Sequence, residues 1–135
     1  MISFIKAVRN FYVKAFNFKG RATRAEYWWA YLYMLLFVVA YYVLIFIVVE
    51  NSMSDSYIMI ATLLLILHLI PIISLYVRRL HDFGESGAGV LMCFIPVIGT
   101  FFQLMIGLRN GVDDNKYGPK VSYEPKKEDN EVIQK

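Results

Sequence analysis

The stretch "YWWAYLYMLLFVVAYYVLIFIVV", residues 27–49, decides the fold because it holds no Asp, Glu, Lys or Arg. A membrane-spanning α-helix needs about 20 apolar residues to cross a hydrocarbon core about 30 Å thick. Lipid offers the backbone no hydrogen-bond partner, so a crossing segment must satisfy its own N–H and C=O groups as a helix. The stretch therefore predicts a transmembrane helix.

Two further apolar runs follow, at residues 57–77 and 88–108. The whole chain is 58% hydrophobic and 19% charged, whereas soluble domains carry about 45–50% apolar and about 25% charged residues. We predict an all-α integral membrane protein with three hydrophobic helical segments, near 27–49, 57–77 and 88–108.

The third run is less regular than the other two, because Pro96 and three glycines fall within it. Either it crosses the membrane fully or it forms a re-entrant hairpin broken at Pro96 and Gly99. Such a backbone is tolerated only where protein covers it. The two alternatives place the end of the chain on opposite sides of the membrane.

The basic residues orient the segments, since Lys and Arg beside membrane spans favour the cytoplasmic side. None lies in the loop at residues 50–56, whereas Arg78 and Arg79 lie between the second and third segments. Six precede the first segment: Lys6, Arg9, Lys14, Lys19, Arg21 and Arg24. A multi-pass protein with a cytoplasmic N-terminus is predicted. The first apolar run starts too late for a secretory signal peptide and lacks a small-residue cleavage site.

The two ends of the chain are predicted to lie outside the membrane domain, residues 21–119. Residues 1–20 form a basic segment in which apolar side chains recur at helical spacing: Ile5, Val8, Phe11, Tyr12, Ala15 and Phe16. This pattern predicts an amphipathic helix in the membrane interface, with basic residues near anionic headgroups. The alternative is a helix packed on the protein's own cytoplasmic face. Residues 120–135 form a charged tail that is predicted to be disordered.

Polar residues are concentrated where the apolar segments begin and end on the cytoplasmic side. Thr23 and Glu26 fit a capping box at the start of the first segment, each side chain accepting from the other residue's amide. Arg78 and Arg79 end the second segment, where cations complement the helix dipole. We predict one cluster, which either binds lipid headgroups or a partner protein or forms structural ion pairs: Arg21, Arg24, Glu26, Arg78, Arg79, His81, Asp82 and Glu85.

His68 is the candidate polar site inside a segment, and an ionisable residue in such a position suggests a function by default. Proton handling and ligand contact are the functional interpretations. In the structural alternative, neutral His68 hydrogen-bonds a backbone carbonyl left free by Pro71, which has no N–H.

Four motifs occur in order along the chain: "FNFKGRATRAEYWW", "LIPIISLYVRRLHDFGESG", "IPVIGTF" and "GVDDNKYGP". In these motifs the chain resembles the domain-of-unknown-function 805 family of small bacterial inner-membrane proteins, over about residues 16–119. The resemblance implies a location and an architecture but no established activity. In one departure, the family usually follows "SG" with tryptophan, whereas Ala88 and Gly89 stand here, so one interfacial anchor is missing.

These patterns favour a non-enzymatic inner-membrane protein that acts through contacts with lipids, with a membrane-protein partner or with further copies of itself. The alternative is a subunit of an oligomeric channel or transporter, since three segments are few for a transporter that acts alone. No nucleophile, metal-ligand set or phosphate-binding loop accompanies the cluster, so we expect no catalysis, no cofactor and no metal. The net charge of only +3 and the topological role of the basic residues argue against nucleic-acid binding.

Overall fold

The structure is a computed structural model that describes residues 2–51 and 54–122. Over these residues the chain is all-helical, as predicted, and it contains no strand. The helices are α1 (Phe4–Val13), α2 (Arg24–Glu50), α3 (Asp55–Leu67), α4 (Leu69–Asp82), a 3₁₀ helix (Gly87–Phe94) and α5 (Ile98–Leu108). Most of the tail that is predicted to be disordered, residues 123–135, lies outside the described residues.

Two long apolar helices confirm the helical prediction for the first two segments. α2 covers residues 27–49, and α3 and α4 form one helical stretch from Asp55 to Asp82. At 1.5 Å per residue each is about 40 Å long, more than the hydrocarbon core requires. Their apolar side chains are widely exposed, Tyr42 by 66% and Leu63 by 56%. Apolar exposure of this extent is unfavourable in water and suits contact with lipid.

The third segment differs from the continuous helix that a full crossing needs. Its first part is the 3₁₀ helix, its second part is α5, and the backbone reverses between them at residues 95–97. Val97 has a φ of 65°, in the left-handed region that β-branched residues rarely adopt. The reversal also requires a glycine at position 99. A Cβ there would lie 2.3 Å from the Cys93 carbonyl oxygen, which is too close for a non-bonded contact.

The two parts of the third segment pack against each other as a hairpin. Near the tip, Gln103 Nε2 donates to the Cys93 carbonyl at 3.3 Å, and at the open end Arg109 lies 3.4 Å from Glu85. Arg79 of α4 donates to the Arg109 carbonyl. Both ends of the segment therefore lie at the same end of α4. Each part is about 16 Å long, roughly half of the hydrocarbon core.

α1 packs on α2 and α4. Ser3 caps it by accepting from the Lys6 amide at 3.4 Å. The predicted apolar stripe divides into two: Phe11 is buried against the other helices, whereas Ile5 and Phe16 are 79% and 78% exposed. α1 is thus attached to the protein by one apolar edge and presents a second apolar edge outward.

The buried core lies at one end of the molecule, where α2 begins and α4 ends. Side chains from α1, α2, α4 and α5 meet there: Phe11, Tyr27, Leu75, Leu80 and Ile106. We call this end, formed by residues 14–26, 74–87 and 103–118, the polar end, because the predicted charged cluster surrounds this core.

Candidate functional site: a buried ion-pair cluster

The charged residues predicted to form a cluster do meet at the polar end, and most of them are buried. Asp82 is central, because Arg21 Nε donates to Asp82 Oδ1 at 3.0 Å and Arg79 Nη1 donates to Oδ2. The exposed fractions of Arg79 and Asp82 are 0% and 5%. Taking charges out of water is costly, so such a group is stable only when each charge is paired and hydrogen-bonded.

The Arg79 guanidinium also donates to three backbone carbonyl oxygens. Nε donates to the Ile106 carbonyl at 2.9 Å, Nη1 to the Ala22 carbonyl at 3.3 Å, and Nη2 to the Arg109 carbonyl. The last carbonyls of a helix have no partner within the helix, and a cation beside them complements the helix dipole. Arg79 therefore caps α5 from a neighbouring helix.

Arg21 organises the loop that follows α5. Its guanidinium donates to the carbonyls of Val112 at 2.6 Å and Gly118 at 2.9 Å. Gly111 packs so closely in this loop that a Cβ would lie 2.3 Å from Asp82 Oδ2. The loop is therefore folded tightly around the Arg21–Asp82 pair.

Glu26 and Arg78 form a second buried pair. Arg78 Nη1 donates to Glu26 Oε1 at 2.8 Å, and both residues are 0% exposed. Lys14 Nζ lies 3.9 Å from the same oxygen. Thr23 caps α2 as predicted, accepting from the Glu26 amide at 3.2 Å. The partner of the Glu26 carboxylate on α4 could not be predicted from the capping motif.

Two members of the predicted cluster lie at its edge and have other partners. Arg24 donates to Asn110 Oδ1 at 2.5 Å, and Glu85 pairs with Arg109 at 3.4 Å on the exposed surface. Glu85 therefore pairs with an arginine from outside the predicted cluster. The physical reason is the hairpin, which brings Arg109 back beside Glu85.

His81 is held by two residues of the "NKYGP" motif that were not predicted to contact it. Its ring stacks on that of Tyr117, with centroids 3.7 Å apart and planes at 6°. Asn115 Nδ2 donates to the His81 carbonyl at 2.9 Å, and His81 Nδ1 lies 3.3 Å from the Gly20 carbonyl. The motif marks Asn115 and Tyr117 in the sequence, but only the fold shows that they contact His81.

His68 lies where α3 meets α4 and belongs to a separate hydrogen-bond network. Its Nδ1 donates to the Leu64 carbonyl at 2.7 Å, so in the neutral imidazole Nε2 is the acceptor and accepts a hydrogen bond from the Tyr12 hydroxyl at 2.6 Å. Tyr33 donates in turn to the Tyr12 hydroxyl oxygen. The carbonyl partner of His68 is thus one helical turn before it, and not the carbonyl that Pro71 leaves free.

The His68 network fastens the N-terminal helix to the long helices, because its members come from α1, α2 and the α3–α4 junction. Burial raises the pKa of the Tyr12 phenol above its ordinary value, and the hydrogen bond with Tyr33 raises it further. Tyr12 therefore stays protonated at neutral pH and remains able to donate to His68.

Two long apolar helices joined at one end by buried ion pairs define the class, an all-helical membrane protein. The chain belongs to the family described as "Protein of unknown function (DUF805)", whose model matches residues 15–119. This match confirms the resemblance drawn from the four motifs. The matched region contains the whole predicted cluster, from Arg21 to Glu85.

Two curated relatives come from Escherichia coli (strain K12). Inner membrane protein YhaI is 33% identical over 103 residues, which cover 76% of this chain and 83% of the relative. Inner membrane protein YhaH is 28% identical over 123 residues, which cover 90% of this chain and 98% of the relative. No solved structure gives a significant match.

Proposed function

We propose that the chain is a multi-pass inner-membrane protein that acts without catalysis, through contacts that its polar end makes with lipids or a partner protein in the cytoplasm. α2 and the α3–α4 stretch cross the membrane. The third segment enters and leaves on the cytoplasmic side. The N-terminus and the loop after α5 are both cytoplasmic. The names of the two relatives support the inner membrane as the location.

The hairpin geometry supports this topology. Because both ends of the third segment lie at the polar end, the loop after α5 lies beside the start of α2. The basic residues of this loop then share one side with those of the N-terminal segment: Arg109, Lys116 and Lys120. A full third crossing would place them on the far side, against the preference of basic loops for the cytoplasm.

The second apolar edge of α1 supports a position in the membrane interface. Ile5 is exposed on this edge and Phe16 in the turn just after α1, and the basic Lys6 and Arg9 are exposed next to Ile5. Apolar side chains enter the boundary between headgroups and acyl chains, while basic residues stay near anionic headgroups. α1 then contacts the long helices and the inner leaflet at once.

The contact surface is the exposed rim of the polar end, and the buried ion pairs hold the elements that carry this rim together. The side chains of Arg109 and Glu85 are 47% and 56% exposed, and Arg24 is exposed as well. One observation carries the proposal: the buried pairs join α2, α4, α5 and the following loop into one unit while this rim remains charged and accessible.

Photo-crosslinking in living cells tests the proposal. A photoreactive amino acid at Glu85 is expected to give adducts with a protein or a phospholipid, detected by a gel shift and by mass spectrometry. The matched control is the same amino acid at Ser54, at the opposite end of the long helices. Identical adducts from both positions would overturn the proposal, because the polar end would then have no specific contact.

The alternative, a subunit of an oligomeric channel or transporter, depends on His68. The geometry supports it less, because both ring nitrogens of His68 are engaged within the protein. Reconstituted vesicles distinguish the two proposals. An ion flux that is lost in His68→Ala favours the alternative, whereas no flux from the unaltered protein favours the first proposal.

A further inference from the structure

Three buried arginines of the polar end differ in how their donors are used. Arg21 and Arg79 both direct Nε, Nη1 and Nη2 to carboxylate or carbonyl oxygens. Arg78 uses Nη1 alone, for Glu26. Among the residues that the structure describes, none accepts a hydrogen bond from Arg78 Nε or Nη2, and both atoms are buried.

The two unpaired donors are those that recognise oxyanions. Nε and Nη2 lie on one edge of the planar guanidinium, and their parallel N–H groups match two oxygens of a carboxylate or phosphate group. A buried donor that has no hydrogen-bond partner destabilises the protein by its full desolvation free energy. The side chain of Arg78 is 0% exposed, so bulk water does not satisfy them.

The charge around Arg78 favours an anion. Arg78 and Lys14 both lie within ion-pair distance of a single carboxylate, that of Glu26. Counted over the described residues, two cations facing one carboxylate leave a surplus of one positive charge at the place where the donors are unpaired. One further oxyanion would balance this charge.

Arg78 lies beneath the turn that connects α1 to α2. A Cβ at Gly20 of this turn would lie 3.7 Å from Arg78 Cδ, and the Ala22 amide donates to the Arg78 carbonyl at 3.0 Å. The neighbouring Phe16 and Phe18 are 78% and 40% exposed. In the proposed topology these aromatic rings lie in the interface, at the depth of the phospholipid phosphates.

We propose that the Nε–Nη2 edge of Arg78 binds a phosphate oxyanion, with Lys14 as a second cation, when the turn at residues 16–20 moves aside. The source is the headgroup of a phospholipid in the inner leaflet or free inorganic phosphate. This inference rests on the proposed function, since it names the ligand class of the same polar end.

The test uses the purified full-length chain in detergent micelles and phosphate-free buffer. The unfolding midpoint is followed by tryptophan fluorescence while phosphatidylglycerol, diacylglycerol or inorganic phosphate is added. We expect phosphatidylglycerol or inorganic phosphate to raise the midpoint, and diacylglycerol, which has no phosphate, to leave it unchanged. A response to phosphatidylglycerol assigns the site to a lipid headgroup, and a response to inorganic phosphate assigns it to the free anion.

The variant Arg78→Lys keeps the charge but loses the two-donor edge. We expect the ligand concentration for half of the effect to rise about tenfold or more, as for loss of one charge-assisted hydrogen bond. Lys116→Arg, at an exposed cation of the same end that has no part in the proposed site, is the matched control and should respond like the unaltered protein. Should Arg78→Lys fail to fold, Lys14→Gln leaves the Arg78–Glu26 pair intact and is expected to weaken the response.

Equal effects of phosphatidylglycerol and diacylglycerol, with none from inorganic phosphate, would overturn the inference. An unweakened response in Arg78→Lys, or in Lys14→Gln where that variant replaces it, would overturn it too. The proposed function is tested separately, because the adducts expected from position 85 do not depend on Arg78. Specific adducts without a phosphate response reject only the phosphate site.

Discussion

Asp82 accepts hydrogen bonds from two arginines while it is almost completely buried. A buried ion pair adds less stability than its Coulomb attraction suggests, because both ions lose their water. Removing one partner is costly nevertheless, since the remaining charge stays buried without compensation. At the scale of single residues, we therefore expect the stability of the polar end to be most sensitive to substitution of Asp82, where one carboxylate pairs with two cations.

The substitution Asp82→Asn tests this sensitivity. It keeps the shape but removes the charge, so Arg21 and Arg79 keep two buried positive charges without a counterion. We expect the free energy of unfolding to fall by about 3–5 kcal/mol, measured by denaturant titration of the purified protein. Asp113→Asn removes an exposed pair with Lys120 and should cost less than about 1 kcal/mol. Equal effects of the two substitutions would show that the cluster is not buried as described.

Tyr12→Phe tests the His68 network at the same scale. The variant keeps the ring but removes the hydroxyl that donates to His68 Nε2. We expect a loss of about 1 kcal/mol, seen as a lower unfolding midpoint. Tyr42→Phe, at a tyrosine that is 66% exposed on α2, is the control and should leave the midpoint unchanged. A midpoint for Tyr12→Phe that matches the control would mean that the network does not fasten α1.

At the scale of helices, hydropathy predicts α2 and the α3–α4 stretch because length and apolar composition alone determine whether a helix suits the membrane. The third segment could not be decided in the same way. Pro96 and Gly99 are compatible with a kinked crossing as well as with a reversal. Contacts that are distant in sequence decide between them, above all Glu85 with Arg109 and Arg79 with the α5 carbonyls.

The hairpin makes a prediction about Gly99. In Gly99→Ala the new Cβ would meet the Cys93 carbonyl, a backbone atom that cannot move away without opening the reversal. We expect the free energy of unfolding to fall by about 1–3 kcal/mol, as for other overpacked sites. Gly20→Ala adds a Cβ with only ordinary contacts, the nearest at 3.7 Å, and should be close to neutral under the same denaturant titration. A neutral Gly99→Ala would argue against the reversal.

At the scale of the whole molecule, the charged motifs and the core share one end. The sequence indicates which residues gather there, since basic residues and the capping motif mark the ends of the segments that are predicted to be cytoplasmic. It does not indicate their partners. Arg21 is 61 residues from Asp82 and 97 from Gly118 along the chain, and local spacing carries no information about such contacts. The exposed apolar helices beyond this end follow from composition alone.

The most direct test of the account asks on which side of the membrane residue 122 lies. In a Cys93→Ser background, Ser122→Cys and Ser54→Cys are labelled separately with an impermeant thiol reagent, on intact spheroplasts and after lysis. The account predicts that position 54 is labelled on intact spheroplasts and position 122 only after lysis, because the third segment returns to the cytoplasm. Labelling of position 122 on intact spheroplasts would contradict it and would place the "NKYGP" loop away from the "RRLHD" cluster.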